Sequence, residues 1–358
     1  MRPPTVSICL PNLNTRKFLP ERFATIFDQS FTDWELLVYD SYSNDGAWEL
    51  IEELTKNDSR IRAWQGPREG TPGSWSPCIR QAVGRYVYIA TSDDTMAPDC
   101  LEKLVAALEA HPECDIAHCR LKAIDSAGIE IPGPSWPTSI FASSCGPLLD
   151  RLHVRKAPFD GLLHLLGGSV YISITQLLIR RSLFDRIGLF ESTWGSVSDF
   201  HWSMRAGLFA NTVHVPDTWG GWRIHDTQAT AGAEIGSMEH TRKIEEMIAD
   251  VLSISGKSLT PPLSHCLATQ WAPAAHECRA FLHEVEQRDR SSNRRAFIVR
   301  RFLCGSPAAR QHVRLWLTGH RPWSDLFPNL VQTWLNEVGF GPTLIPDESR
   351  ALRSHVDF

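Results

Sequence analysis

Tyr86-Val-Tyr-Ile-Ala-Thr-Ser-Asp93-Asp94-Thr-Met-Ala-Pro98-Asp99 is the stretch on which the fold is decided. Tyr86 to Ala90 is β-branched, aromatic and uncharged, the pattern of a strand buried on both faces of a parallel sheet. The run stops at two adjacent carboxylates. Pro98 is suited to a first helical turn, and Leu101, Leu104, Val105 and Leu108 then recur at helical spacing. Asp93 and Asp94 are therefore expected at the carboxyl end of a strand, where open α/β sheets bind ligands. Two carboxylates left there repel each other unless a cation or hydrogen-bond donors stabilise both. Taken alone, an Asp-Asp pair reads as a solvated turn with a helix cap, and the rest of the chain has to choose between that and a ligand site.

Upstream the pattern repeats. Thr5 to Leu10 reads as a first strand ending in the turn chemistry of Pro11-Asn12-Leu13-Asn14. Phe18, Leu19, Phe23, Ile26 and Phe27 follow at helical spacing, and Trp34 to Tyr39 forms a second strand that stops at Asp40. A helix over Ala47 to Leu54, a short strand Ile61 to Trp64, a breaker-rich loop around Arg68 and a helix Ser76 to Val83 lead back to the central strand. This alternation predicts an α/β fold with a doubly wound, mostly parallel sheet and flanking helices. Three strand ends, at Asn12, Asp40 and Asp93, then meet at one sheet edge, which suits a nucleotide with a metal-bound diphosphate. Neither Gly-x-Gly-x-x-Gly nor Gly-x-x-x-x-Gly-Lys-Ser/Thr occurs, so phosphate charge falls to the cation.

The totals narrow the class. The 358 residues, 42% hydrophobic, can fill one large domain and a second module. A net charge of -5 argues against a nucleic-acid binder. Nine scattered cysteines with no Cys-x-x-Cys read as reduced thiols. The chain enters a strand within a few residues of Met1, and its most apolar window, Gly161 to Ile179, is interrupted by polar residues. A cytoplasmic protein without a spanning helix is expected.

Four segments in order, Ser7 to Asn14, Val38 to Gly46, Gly84 to Asp94 and Gly195 to Gly207, resemble the successive motifs of the family 2 glycosyltransferases with the GT-A fold. Trp219 to Thr230 adds a late Arg-x-His-x-x-Gln segment. The resemblance implies inverting transfer of a sugar from a nucleotide donor with Mg2+ or Mn2+. It assigns Asp40 to the base, Asp93 to the ribose, Asp94 to the metal, and Pro11, Asn12 and Asn14 to the base pocket. Leu13 stands where family members often carry an aromatic residue, which leaves the base open between uridine and thymidine. Arg68 is a candidate nucleotide contact, and His225 is either a metal ligand or a donor to the diphosphate. Asp199 is the candidate general base, with Ser198 in place of the usual Glu, and the same residue would serve as a helix cap.

The expected organisation is a GT-A domain over residues 1–232, with a nucleotide-binding part to about 122 and an acceptor part from 123. A helical C-terminal extension follows over 233–358. The implied partners are a nucleotide-sugar donor of UDP or dTDP type and a saccharide or lipid-linked acceptor. Arginines from Arg288 to Arg310, mixed with Phe297-Ile-Val and Phe302-Leu, suit either a solvated helix face or peripheral contact with an anionic membrane. A nucleotidyltransferase is the nearest enzymatic rival, though Pro11 to Lys17 lacks the glycine it needs for a triphosphate loop. A catalytically inactive carbohydrate-binding protein is the rival from another class.

Overall fold

The computed structural model describes residues 2–68, 73–131, 146–165, 169–228, 238–259, 265 and 343–344. In its first half, β1 (Val6–Asn12), α1 (Leu19–Phe27), β2 (Trp34–Asp40), α2 (Ala47–Asn57), β3 (Ile61–Gln65), α3 (Trp75–Gln81) and β4 (Tyr86–Ile89) alternate as the sequence predicts. β1 lies parallel to both β2 and β4, and β2 lies parallel to β3. Side chains alternate across each strand. Val6, Ile8 and Leu10 of β1, with Leu36 and Val38 of β2 and Tyr86 and Tyr88 of β4, pack beneath α1, α2 and α4 (Cys100–Ala110). Cys9, Leu37, Val87 and Ile89 belong to a second core on the opposite face, which includes Cys78 and Ile79 of α3. A strand apolar at every position is the consequence of covering both faces.

Beyond β4 the sheet becomes mixed. Its order is β11-β8-β10-β6-β9-β4-β1-β2-β3, built from β6 (Ile116–Ile124), β8 (His153–Arg155), β9 (Leu177–Arg180), β10 (Thr212–Arg223) and β11 (Thr343–Leu344). β9 runs antiparallel between β4 and β6, whereas β10 runs parallel to β6. Two short strands lie off this path: β5 (Thr95–Met96) pairs with β10, and β7 (Glu130–Ile131) pairs with β6. Around the second core gather α5 (Phe159–Leu165), α6 (Ser182–Ile187), α7 (Ser198–Phe209) and α8 (Met238–Ser255).

β10 is the element that the sequence concealed. Pro216 interrupts it, its register against β6 shifts between Val215 and Trp219, and Gly220-Gly221 removes two side chains. Those glycines are there for close approach. A Cβ on Gly220 would stand 2.6 Å from the Thr175 carbonyl oxygen, and one on Gly221 2.2 Å from Thr95 Oγ1. The turn Ile174–Gln176 and β5 can therefore lie against the strand.

β5 also changes the reading of Pro98. Helix α4 starts at Cys100 with Asp99 at its N-cap position, so Asp93 and Asp94 cap nothing; they precede a strand pairing. Of the expected C-terminal extension, α8 is described, and it carries the predicted apolar face of Ile244, Met247, Ile248 and Val251. The helix expected near Cys278 to Val285, the Arg288 to Arg310 region and most of the Pro-rich section lie outside the described residues. Among the described residues no helix is long and apolar enough to cross a membrane.

Candidate active site

The ends of β1 and β2 are interlocked. Asn12, 2% exposed, donates from Nδ2 to Asp40 Oδ1 at 2.6 Å and to Ser43 Oγ at 3.0 Å. Asn14, in the left-handed region at φ 53°, donates its peptide N–H to Ser43 Oγ and accepts from the Asn44 peptide at 2.9 Å each. Asp40 is fully buried. Its Oδ1 also accepts from Ser43 Oγ at 2.6 Å, and its Oδ2 accepts from the Ser43 peptide at 3.0 Å and Gln65 Nε2 at 2.9 Å. Four donors thus occupy the carboxylate expected at the base, and it stands behind the wall rather than in it. Ser41, the next residue, is the one that reaches the cavity from this strand.

That cavity holds about 570 Å³ and is walled by Pro11, Asn12 and Asn14 from β1 and its turn, Arg68 from the loop after β3, Asp93 and Asp94 beyond β4, Asp199 from α7 and His225 beyond β10. The structure therefore gathers every predicted site residue except Asp40 into one wall. Asp93 Oδ2 accepts from His225 Nε2 at 3.0 Å, and His225 Nδ1 meets Thr227 Oγ1 at 2.9 Å. Asp94 is 2% exposed; Oδ1 accepts from the Arg223 peptide at 2.9 Å and Oδ2 from the Thr91 hydroxyl. Burial, and then the negative charge of Asp93, push the Asp94 carboxyl up to about 7.

Asp199 sits in the first turn of α7, where its Oδ1 accepts from the Phe200 peptide at 2.8 Å. Removal from water pushes its carboxyl up to about 6, against the downward pull of that hydrogen bond. A carboxyl so placed is a better proton acceptor than a solvated one and is still ionised near neutrality.

Several wall residues carried no signal of their own. Ser173 and Ile174 arrive through the turn before β9, and Trp75 through the start of α3. Of Trp194, Trp202, Trp219 and Trp222, Trp222 lines the cavity, whereas Trp202 is fully buried in one core, Trp194 packs against that core and Trp219 packs against the other. Strand parity separates the two in β10, since Trp219 and Trp222 are three positions apart and so face opposite ways.

Among the described residues no group of three or more His, Cys, Asp or Glu side chains is arranged as a complete metal site. The donors still suit a hard cation. Asp93 and Asp94 are adjacent carboxylates that both face the cavity, and burial first and the Asp93 charge second raise the Asp94 carboxyl. Mg2+ is usually held by one or two carboxylates, with substrate phosphates and water completing its shell. Asp94, with Asp93 and His225 beside it, fits that incomplete arrangement.

The profile of the family described as Glycosyl transferase family 2 matches residues 7–188. The putative teichuronic acid biosynthesis glycosyltransferase TuaG of Bacillus subtilis (strain 168) is 32% identical over 101 residues, 28% of this chain and 40% of that protein. The putative glycosyltransferase EpsE of the same organism is 30% identical over 128 residues, 35% of this chain and 46% of that one. The matched stretch thus spans under half of either relative. Among solved structures, residues 1–349 of S. aureus TarS superpose with a TM-score of 0.56 at 17% identity, over 92% of this chain and 82% of that one. The mannosyltransferase PcManGT from Pyrobaculum calidifontis, solved with GDP-Man and Mn2+, superposes with a TM-score of 0.51 at 15% identity, over 94% and 88%. At such identities the likeness speaks for the fold alone, which is the GT-A arrangement expected from the motifs.

Proposed function

The chain belongs to glycosyl transferase family 2, and from that premise we propose that it transfers a sugar from a nucleoside diphosphate to a saccharide hydroxyl, with inversion at the transferred carbon. One observation carries the reading: Asp199, a carboxylate with a raised pKa and no cationic partner among the described residues, shares a wall with the Asp93–Asp94 pair. Such a cavity can seat a diphosphate near the pair and an acceptor near Asp199. The acceptor oxygen attacks the sugar C1 as its proton passes to Asp199, and the bond from C1 to the diphosphate oxygen breaks on the opposite face.

A divalent cation, when bound, would offset the charge that develops on the departing diphosphate. Asp94 would hold it, with Asp93 and His225 alongside. Asn12, Asn14, Pro11 and Ser41 would shape the nucleoside end, and exposed Arg68 would approach the phosphates or the base from the cavity mouth. A uridine or thymidine donor and a lipid-linked or free saccharide acceptor complete the proposal. Its support is the family membership together with the names of the relatives, which include a GalNAc(5)-diNAcBac-PP-undecaprenol beta-1,3-glucosyltransferase of Campylobacter jejuni.

The test is a panel of sugar nucleotides with Mn2+, read by release of nucleoside diphosphate and by the anomeric configuration of the product. Turnover of one donor by wild type, with retained donor binding and no transfer by Asp199→Asn, is the expected result. A fully active Asp199→Asn, or a product of retained configuration, would overturn the assignment.

A further inference from the structure

Arg223 belongs to the late Arg-x-His-x-x-Gln segment, yet it does not line the cavity. Its side chain is 1% exposed, and it touches four parts of the fold. Nε donates to the Asp93 carbonyl at 2.6 Å, Nη1 to the Asp125 carbonyl at 2.9 Å, and Nη2 to Glu21 Oε2 at 2.6 Å. The guanidinium carbon lies 5.0 Å from the centre of the Phe18 ring, and that ring lies 4.6 Å from the imidazole of His225. Its own peptide N–H donates to Asp94 Oδ1 at 2.9 Å. Helix α1, the exit from β4, the turn between β6 and β7, and β10 are all held by this one residue.

We infer that Arg223 is a positioning residue that fixes the Asp93–Asp94 turn and His225 toward the cavity. The inference rests on the proposed function for its consequence, because that turn is where the cation and diphosphate would meet.

Stability alone is a poor reason for burying this cation. Its single anionic partner among the described residues, Glu21, is 46% exposed, and an apolar side chain of similar volume in place of a buried ion pair is often neutral or stabilising. What an apolar side chain cannot do is hold two main-chain carbonyls and a carboxylate from three segments in one plane. Lysine cannot either: an ammonium is a point charge on a flexible stem, whereas the guanidinium is a rigid fork. By gripping the Asp93 carbonyl from behind, the fork leaves the Asp93 and Asp94 carboxylates on the cavity side. Through Phe18 it also supports the imidazole that meets Asp93.

The test uses the whole protein as wild type, R223M, R223K and E21Q. Mn2+ affinity is measured by calorimetry on the UDP-saturated protein, and amide exchange is followed over residues 91–96 and over β1. Groups behind a metal site typically change its affinity by ~10–100-fold. R223M is expected to weaken Mn2+ binding about tenfold and to accelerate exchange over 91–96 about tenfold, with exchange in β1 and metal-free UDP binding held within about twofold. R223K should recover only a minor part, and E21Q, which keeps the fork and loses one charge, should move the same readouts less and in the same direction. Equal acceleration in β1 would mean a merely structural role, and unchanged Mn2+ affinity or an R223K indistinguishable from wild type would likewise overturn the inference. A wild type that binds no Mn2+ with UDP, while R223M still loosens 91–96 selectively, would sink the proposed function and leave the positioning role standing.

Discussion

Asp199 and Asp40 show opposite uses of a carboxylate. The folded state raises the Asp199 carboxyl to about 6 by withdrawing it from water, so its ionised form is strained relative to the unfolded chain. A raised carboxyl contributes stability below its unfolded pKa and loses it as pH rises through about 6. Two consequences follow in opposite directions. The rate, kcat/KM, should climb with pH through about 6 and level off above it, as the base ionises. Asp199→Asn should abolish transfer, by ~10²–10⁴-fold for a lost general base, and yet stabilise the protein at pH 7.5 by about 1–3 kcal/mol, with the gain vanishing near pH 4. Urea denaturation at both pH values reads this directly. Asp40 behaves otherwise, because its two oxygens are met by donors from Asn12, Ser43 and Gln65. Asp40→Asn turns an amide N–H toward buried donors, and the expected loss is ~2–4 kcal/mol of stability with weakened donor binding through Asn12. Weakened binding at unchanged urea midpoint would restore Asp40 to direct contact with the base.

At the scale of elements, Asp199 is aimed by the crossing of α7 over α5, and that crossing depends on two glycines. A Cβ on Gly207 would lie 2.4 Å from the Gly161 nitrogen, and one on Gly161 2.5 Å from the Leu208 nitrogen. These are backbone atoms and cannot swing aside. Gly207→Ala gains ~1 kcal/mol of helix propensity, but separating two packed helices costs ~1–3 kcal/mol of overpacking strain, so a net loss is expected. Activity should fall further than stability, since the displaced helix carries the base; equal activity per folded molecule would show that the crossing does not aim Asp199. Such contacts explain what the sequence made legible. β1, β2, β4, α1 and α4 announced themselves because burial on both faces, or on one helical stripe, writes a period into the residues. β10 was hidden because Pro216, Gly220 and Gly221 answer to neighbours distant in the chain. β5 was hidden for the same reason. At the site, the strand-end aspartates and Asp199 could be read from motif order, whereas the buried position of Asp40 could not. Whether a strand-end carboxylate faces the cavity or its own turn depends on donors such as Gln65, 25 residues away.

The molecule as a whole carries a buried ionic network where β6, β8, β10 and α5 meet. His118, His153 and His214 are fully buried, and Arg155, 1% exposed, joins Asp160 through Nε at 2.6 Å and Nη2 at 3.1 Å. Its Nη1 and Nη2 also face His153 Nε2 and His118 Nδ1, at 3.0 and 3.3 Å. Burial works to raise the Asp160 carboxyl, but the Arg155 charge and hydrogen bonds outweigh it and hold the group below its usual value. The imidazoles go the other way: burial, and then the Arg155 charge, lower His118 and His214 well below the ordinary range and bring His153 to about 4. All three are neutral when folded and take up protons when unfolded. Their contribution is complete above the unfolded value of about 6.5 and declines as pH falls through the window toward 4. His153 alone accounts for about 3 kcal/mol across that window, and the other two steepen the decline. Urea midpoints at pH 7.5, 6 and 5 should therefore fall together with activity, but for a different reason. Asp199 protonates in the intact fold and recovers at once on return to pH 7.5, whereas proton uptake by the three histidines acts on the whole domain through unfolding. His153→Asn, which cannot gain a proton, should flatten the midpoint against pH and leave the activity limb near 6 in place. A midpoint curve unchanged by that substitution would move the acid sensitivity of the fold away from this network.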